Sequence, residues 1–395
     1  MRSYQELFRT PEFTPLFLTA AVQVAAQTVA GLGLATLVFR STGSPFLSAL
    51  ALFGPALAQV LGATTLLSAA DRLPPRAALA GIALVFALGT AAQAVPGLPT
   101  GAVFAILLVL GLVGSVGGGV RYGLLGEILA REGYLLGRSV MNMAVGVCQI
   151  AGFATGGVLV ATLSPRGTLL IGAALYLAAA LLARLGLSRR EPRASGRASA
   201  AETWRTNALL WSSRPRRHVY LALWVPNGLI VGCESLFVPY DPGSAGLLFA
   251  CAALGMLAGD TVVGRFLPRS RRARLGPPLQ MLLAAPYLLF VLDPGLPLAL
   301  VAVTVSAVGY SASLLYQERL MALVPDELSG HALGLHSSGM LALQGLSAAL
   351  AGAVAQVTSP AVAMTALAAA SLAVSVALVL TGGVGERERA RNQGP

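Results

Sequence analysis

The chain has 395 residues, of which 56% are hydrophobic and only 11% charged, with a mean hydropathy of +0.75. Soluble domains carry roughly 25% charged residues, so this composition cannot supply a water-facing surface and most side chains must face lipid. The net charge of +11 would point to nucleic acid only if the basic residues formed one patch; they sit instead in short segments between apolar runs, the pattern of topology determinants.

The N-terminal stretch Met1–Glu12 is polar and charged. The apolar run after it, Thr14–Phe39, exceeds the roughly 7–15 residues of a signal-peptide core and is expected to stay as the first helix. A spanning helix needs about 20 apolar residues. Runs that meet this lie at 14–39, 45–68, 77–95, 101–126, 139–163 and 167–187, then at 218–240, 244–265, 275–292, 296–317, 331–357 and 361–381. Pro96-Gly97-Leu98-Pro99 and Thr358-Ser359-Pro360 are the turn signals that divide two longer apolar stretches. The predicted fold is therefore an all-α integral membrane protein of twelve transmembrane helices in two six-helix halves. Residues 1–187 form the first half, 188–217 a basic connector, and 218–395 the second half with a short tail.

All 27 basic residues are arginine. With the N-terminus placed inside, the outer turns hold only Arg40 and Arg166, and Arg121 lies within the fourth run. Every other arginine falls on the inner side. This asymmetry predicts cytoplasmic termini and a bacterial inner membrane, and it requires an even helix count. Cys148, Cys233 and Cys251 lie in apolar runs without metal-site spacing and give no disulfide framework. Landmarks recur between the halves. Leu73-Pro74 and Leu267-Pro268 are offset by 194, and Gln149 and Gln344 by 195. Gly137 and Gly330 precede the two glutamine-bearing runs. Parallel duplication of a six-helix unit is a transporter architecture.

The loop after the second run reads Ser68-Ala69-Ala70-Asp71-Arg72-Leu73-Pro74-Pro75-Arg76. It resembles the signature loop of the major facilitator superfamily, with Asp71, Arg72 and Arg76 matching, Leu67 in place of the leading Gly and Pro74 in place of the second. Thr42-Gly43-Ser44-Pro45-Phe46-Leu47-Ser48-Ala49-Leu50 and Pro325-Asp326-Glu327-Leu328-Ser329-Gly330-His331-Ala332-Leu333-Gly334 are similar to segments of its bacterial drug- and siderophore-exporter branches. Gly152-Phe153-Ala154-Thr155-Gly156-Gly157 resembles the exporters' Gly-Pro-x-x-Gly-Gly antiporter motif, with Phe153 in place of the proline. The resemblance implies the superfamily's fold, runs 4 and 7 on a central cavity, and a gating role for the Asp71 loop. A carboxylate there pairs with basic groups in one conformation only, a two-state switch. Beside it stands a packing reading, because Gly152 and Gly156 are four apart and small residues at that spacing let helices approach.

Ionisable residues at membrane depth are functional candidates. Glu234 lies inside run seven, between His218 and Tyr240, and Asn227, seven residues earlier, shares its face. Both are candidates for a proton or cationic-substrate site, and an interhelical hydrogen bond is the structural alternative. Arg121 suits an anionic substrate, or snorkels to the inner interface. Gln23 and Gln27 are candidate cavity residues, as are His336, Met340, Gln344 and Ser347, or else polar contacts between helices. Asp260, Arg265 and Glu127 are candidates for an inner gate. Glu318-Arg319 reads as an anchor at the headgroups.

The expected function is secondary transport by alternating access around a midplane site, with export of a small lipophilic or cationic molecule in exchange for protons. Uptake or uniport on the same fold is the second reading, supported by Phe153. A lipid flippase or a sensor on that fold is a further one. An enzyme is not expected. The three histidines His218, His331 and His336 form no His-Glu-x-x-His, there is no Gly-x-Ser-x-Gly, and a P-loop needs a lysine that the chain lacks. No cofactor, metal or nucleic acid is expected, and the protein is expected to be a monomer in the bilayer.

Overall fold

The chain is all-helical in a computed structural model, which describes residues 4–66, 73–129, 131–192, 200–325 and 328–392. Twelve helices among the described residues are long and apolar enough to cross a membrane. The first six are α1 (Phe13–Thr42), α2 (Pro45–Leu66), α3 (Pro75–Gln93), α4 (Thr100–Ile128), α5 (Arg131–Thr162) and α6 (Pro165–Gly186). Next come α7 (Arg214–Glu234), α8 (Ala245–Thr261), α9 (Arg269–Ala284), α10 (Leu296–Val308), α11 (Ser329–Val357) and α12 (Pro360–Asn392).

Local chemistry ends and starts these helices where the turn residues stand. Gly43 closes α1 in the left-handed region, φ 64°, and its N–H reaches Phe39 O at 2.8 Å; glycine takes that conformation without the Cβ penalty. Ser164 caps α6, its Oγ accepting from Gly167 N–H at 3.1 Å, and Pro165 follows at the first helical position, where its missing N–H is not needed.

The spans agree with the sequence periods to within a few residues at most ends. The exception is α5, whose helix starts at Arg131 and not near residue 139. Gly137 does not interrupt it, because this residue packs against the Leu129 and Leu125 side chains instead of turning the chain. The connector is also not wholly irregular, since Ala200–Ser212 is helical. Four spans depart from regular α-helix. After Glu234 the chain turns at Ser235 and Leu236 before resuming over Phe237–Tyr240. The α8 span ends in a π-helical stretch, Val262–Phe266. The α9 span finishes as 3₁₀-helix, Ala285–Leu292. In α10 a 3₁₀ turn, Gly309–Ser311, leads into Ala312–Ala322.

The chain forms two compact units. One comprises residues 1–198 with 241–250, the other 199–240 with 251–395. In the first, α1 packs on α6, α5 and α2, α3 packs on α6, and α2 on α4. In the second, α7 packs on α11 and α12. Lipid is as apolar as leucine, so the hydrophobic effect does not hold such helices together and close backbone approach must. The contacts fit that demand. A Cβ on Gly172 would meet Ala30 at 2.8 Å, one on Gly228 would meet Leu343 at 2.9 Å, and one on Gly232 would meet Ser347 O at 2.8 Å. The halves repeat this pattern: α5 packs on α1 as α11 packs on α7.

Candidate functional site

In the second unit the site is built around Glu234. Its side chain is buried, 7% exposed, and it is the last residue of α7 before the turn at Ser235. That turn satisfies its own backbone. Ser235 N–H reaches Val231 O at 2.9 Å, Ser235 Oγ donates to Gly232 O at 2.6 Å, and Leu236 N–H reaches Cys233 O. Tyr310, set in the 3₁₀ turn of α10, donates its hydroxyl to Glu234 Oε1 at 3.0 Å. Tyr287, which ends up fully buried in the 3₁₀ part of the α9 span, and Cys233 lie within electrostatic range of the carboxyl. Among the described residues no arginine or histidine forms an ion pair with Glu234. A charge at this depth costs at least ~2.5 kcal/mol, and one neutral hydroxyl is its only hydrogen-bonding partner. Such a carboxyl is equipped to take a proton or a cation.

Asn227 lies two turns before Glu234 on α7, about 10.5 Å along the axis. It is buried at 8% exposure and its Oδ1 has no hydrogen-bond partner. His336 on α11 is buried to the same degree. Its backbone carbonyl accepts the Trp224 indole N–H at 3.0 Å, while its ring Nδ1 has no partner. Buried polar atoms are normally satisfied, so the unmatched groups of Asn227 and His336 mark places where a ligand or water can bind.

In the first unit the structure joins two residues that the sequence proposed separately. Arg121 Nη2 donates to Gln23 Oε1 at 2.8 Å, linking α4 to α1. Gln27, one turn further along α1, is exposed. The glycine motif of α5 is a packing seam. A Cβ on Gly152 would overlap Thr28 Oγ1, one on Gly156 would meet Val29 Cα at 3.3 Å, and one on Gly157 would meet Gly246 Cα at 2.9 Å. Phe153, standing where the antiporter motif has proline, stacks on Phe249 with centroids 4.6 Å apart and ring planes 17° apart.

The inner-gate candidates do not form the pairs suggested for them. Asp260 and Arg265 are both exposed and make no ion pair with each other. Residues five apart on a helix do not share a face, whereas three or four apart do, and the π-helical stretch begins between them. Glu127 pairs with Arg190 at 3.2 Å, and Arg190 also reaches Glu12 at 3.3 Å, with Ser188 N–H donating to Glu12 Oε2 at 3.3 Å. Asp71 and Arg72 of the signature loop lie outside the described residues. Arg76 is partly buried, with its Nε unpartnered and Arg184 and Arg189 within electrostatic range.

Sequence reasoning missed Tyr310 and Arg190. A tyrosine inside an otherwise apolar tenth run was the available signal for the first. For the second nothing separated Arg190 from its seven arginine companions in the connector.

Comparison with known proteins bears on the fold. A family profile described as Major Facilitator Superfamily matches residues 16–314. A search of curated protein sequences found no significant match. Among solved structures the chain is similar to a POT family transporter in complex with a thioalcohol-conjugated peptide, at 11% identity, 94% and 96% coverage of the two chains and a TM-score of 0.74. It is similar to the nucleoside transporter NupG, at 13% identity, 93% and 99% coverage and a TM-score of 0.76. A bacterial homologue of the human lysosomal transporter Spinster, in an inward-facing unoccupied conformation, gives 15% identity, 93% and 94% coverage and a TM-score of 0.67. With twelve apolar helices, no strand among the described residues and a family match over three quarters of its length, this multi-pass membrane protein belongs to the major facilitator superfamily of secondary transporters.

Proposed function

We propose that this transporter exports a small lipophilic or cationic molecule in exchange for protons, with Glu234 as the group that alternately holds proton and cargo. The observation that carries the reading is a carboxyl buried at membrane depth whose only hydrogen-bonding partner is the Tyr310 hydroxyl. An ion pair would fix its charge, whereas a neutral donor leaves it free to exchange one positive species for another. Asn227 extends the same face with an unmatched acceptor. Arg121, held by Gln23, is the counterpart for an anionic group on the cargo. Alternating access around a midplane site would carry the exchange, with Asp71 setting its rate through the signature loop. The arginine asymmetry supports a bacterial inner membrane with both termini in the cytoplasm. We take the working form to be a monomer.

The test is transport of a fluorescent lipophilic cation in proteoliposomes under an imposed proton gradient. The wild-type protein accumulates the dye and Glu234→Gln does not. Full gradient-driven accumulation by Glu234→Gln would overturn the assignment of Glu234. A second reading, uptake or uniport, rests on Phe153. Its stack on Phe249 replaces the proline of the antiporter motif. The direction of dye movement in inverted vesicles separates the two.

A further inference from the structure

The helix Ala200–Ser212 in the connector has two faces, and only one is accounted for. On the inward face Leu210 is fully buried, and Trp211 stacks on Trp224 with centroids 5.5 Å apart and planes 9° apart. Tyr220 completes the cluster, 6.2 Å from Trp211 and 5.0 Å from Trp224. Arg216 Nη2 donates to Leu209 O at 3.0 Å and ties the end of this helix to the start of α7. The helix is therefore docked on the spanning helices of its own unit. On the outward face Trp204 is 67% exposed and Leu209 is 55% exposed, with Ala208 and Arg205 also exposed between them.

Three observations say what covers that face. The helix ends at Ser212, and α7 enters the membrane from Arg214, so the chain cannot leave the bilayer surface between them. The cluster that holds the helix includes Trp224, ten residues inside α7, which draws it down against the spanning helices. Arg205, Arg214, Arg216 and Arg217 surround it, and the helix itself carries a single acidic residue, Glu202. A tryptophan and a leucine presented beside arginines suit a membrane interface, where an amphipathic ring sits at headgroup level and cations meet anionic lipid. We propose that this helix is a membrane-interface element that lays Trp204 and Leu209 into the leaflet on the connector side and takes anionic phospholipid as its partner.

The test uses a property of this chain: it has three tryptophans, Trp204, Trp211 and Trp224. In the full-length Trp211→Phe, Trp224→Phe protein only Trp204 fluoresces. Reconstituted into vesicles of phosphatidylcholine with phosphatidylglycerol, Trp204 is expected to be quenched by lipids brominated high on the acyl chain and shielded several-fold from aqueous iodide. Shielding should weaken in pure phosphatidylcholine. Full quenching by iodide with none by brominated lipid would overturn the proposal, and so would identical behaviour in the two lipid mixtures. Because those two substitutions remove the stacked rings, a second protein keeps them. Trp204→Cys, with the three native cysteines replaced by alanine, carries a spin label whose collision rates with oxygen and with a water-soluble nickel chelate give its depth. A label reached more readily by the nickel chelate than by oxygen would equally overturn it.

Discussion

Glu12 and Glu234 carry the same carboxyl group into different solvents. Glu12 stands just before α1 and is paired with Arg190, which also holds Glu127. Its side chain keeps 19% of its surface in water. Glu234 ends α7 in the apolar interior, and only the Tyr310 hydroxyl hydrogen-bonds it. At the aqueous end a carboxylate is matched by full charges, and the triad ties the start of α1, the end of α4 and the start of the connector within one unit. At membrane depth it is matched by a neutral donor. The difference separates a carboxyl that fastens the fold from one that is left available for chemistry.

The largest effect should come from comparing the two in one transport assay. Glu234→Gln is expected to reduce proton-driven dye accumulation at least about tenfold, equivalent to 1.4 kcal/mol, whereas Glu12→Gln keeps most of it. Equal loss in both would erase the contrast drawn above. A folding lesion must look different, and Gly152→Leu supplies that reference. Leucine there would drive into Thr28 on α1, and overpacking costs about 1–3 kcal/mol. Its melting temperature in detergent should fall clearly, while Glu234→Gln should melt like the wild type. Tyr310→Phe should have a smaller effect. Losing one hydrogen bond costs about 0.5–1.5 kcal/mol, so apparent cargo affinity should change by no more than about tenfold while accumulation still follows the proton gradient. A null result there, with dye binding and rate unchanged, would remove Tyr310 from the site.

The smallest effect belongs to Glu12. Burial pulls its carboxyl upward, but the hydrogen bonds from Ser188 and the charge of Arg190 outweigh it and hold it below the ordinary value. A carboxyl depressed in the folded state adds stability that is present above its unfolded value, about 4.3, and is lost as pH falls through the lower folded value. For a pair this exposed the contribution should stay under about 1 kcal/mol. Melting curves of wild type and Glu12→Gln should differ slightly at neutral pH and converge in acid. A gap that widens on acidification would contradict the pairing.

Helix number and spans were legible because lipid imposes one length and one composition on every spanning segment. The signature residues Asp71, Arg72 and Arg76 and the glycines of run five then named the family. Glu234 was legible for the same reason, since a carboxyl inside an apolar run breaks the rule that its neighbours obey. What the periodicity could not carry was pairing. Arg121 and Gln23 lie 98 positions apart in sequence, and either could have met other partners. The proposed Asp260–Arg265 pair failed on helical phase, which five residues do not satisfy. The breaks in α7 and α10 were also invisible, because Ser235–Leu236 and Gly309–Ser311 sit in apolar runs long enough to pass as continuous helix. Those breaks matter to the candidate site, since Glu234 precedes one and Tyr310 lies in the other.

The seam between Gly152 and Thr28 has an evolutionary consequence. The space a side chain at 152 would need is already filled by the threonine on α1, so neither position can drift alone. An alanine or serine at 152 becomes admissible only with a smaller residue at 28, and a glycine kept at 152 leaves 28 free to stay branched. Lineages descending from this sequence should therefore change the two sites together.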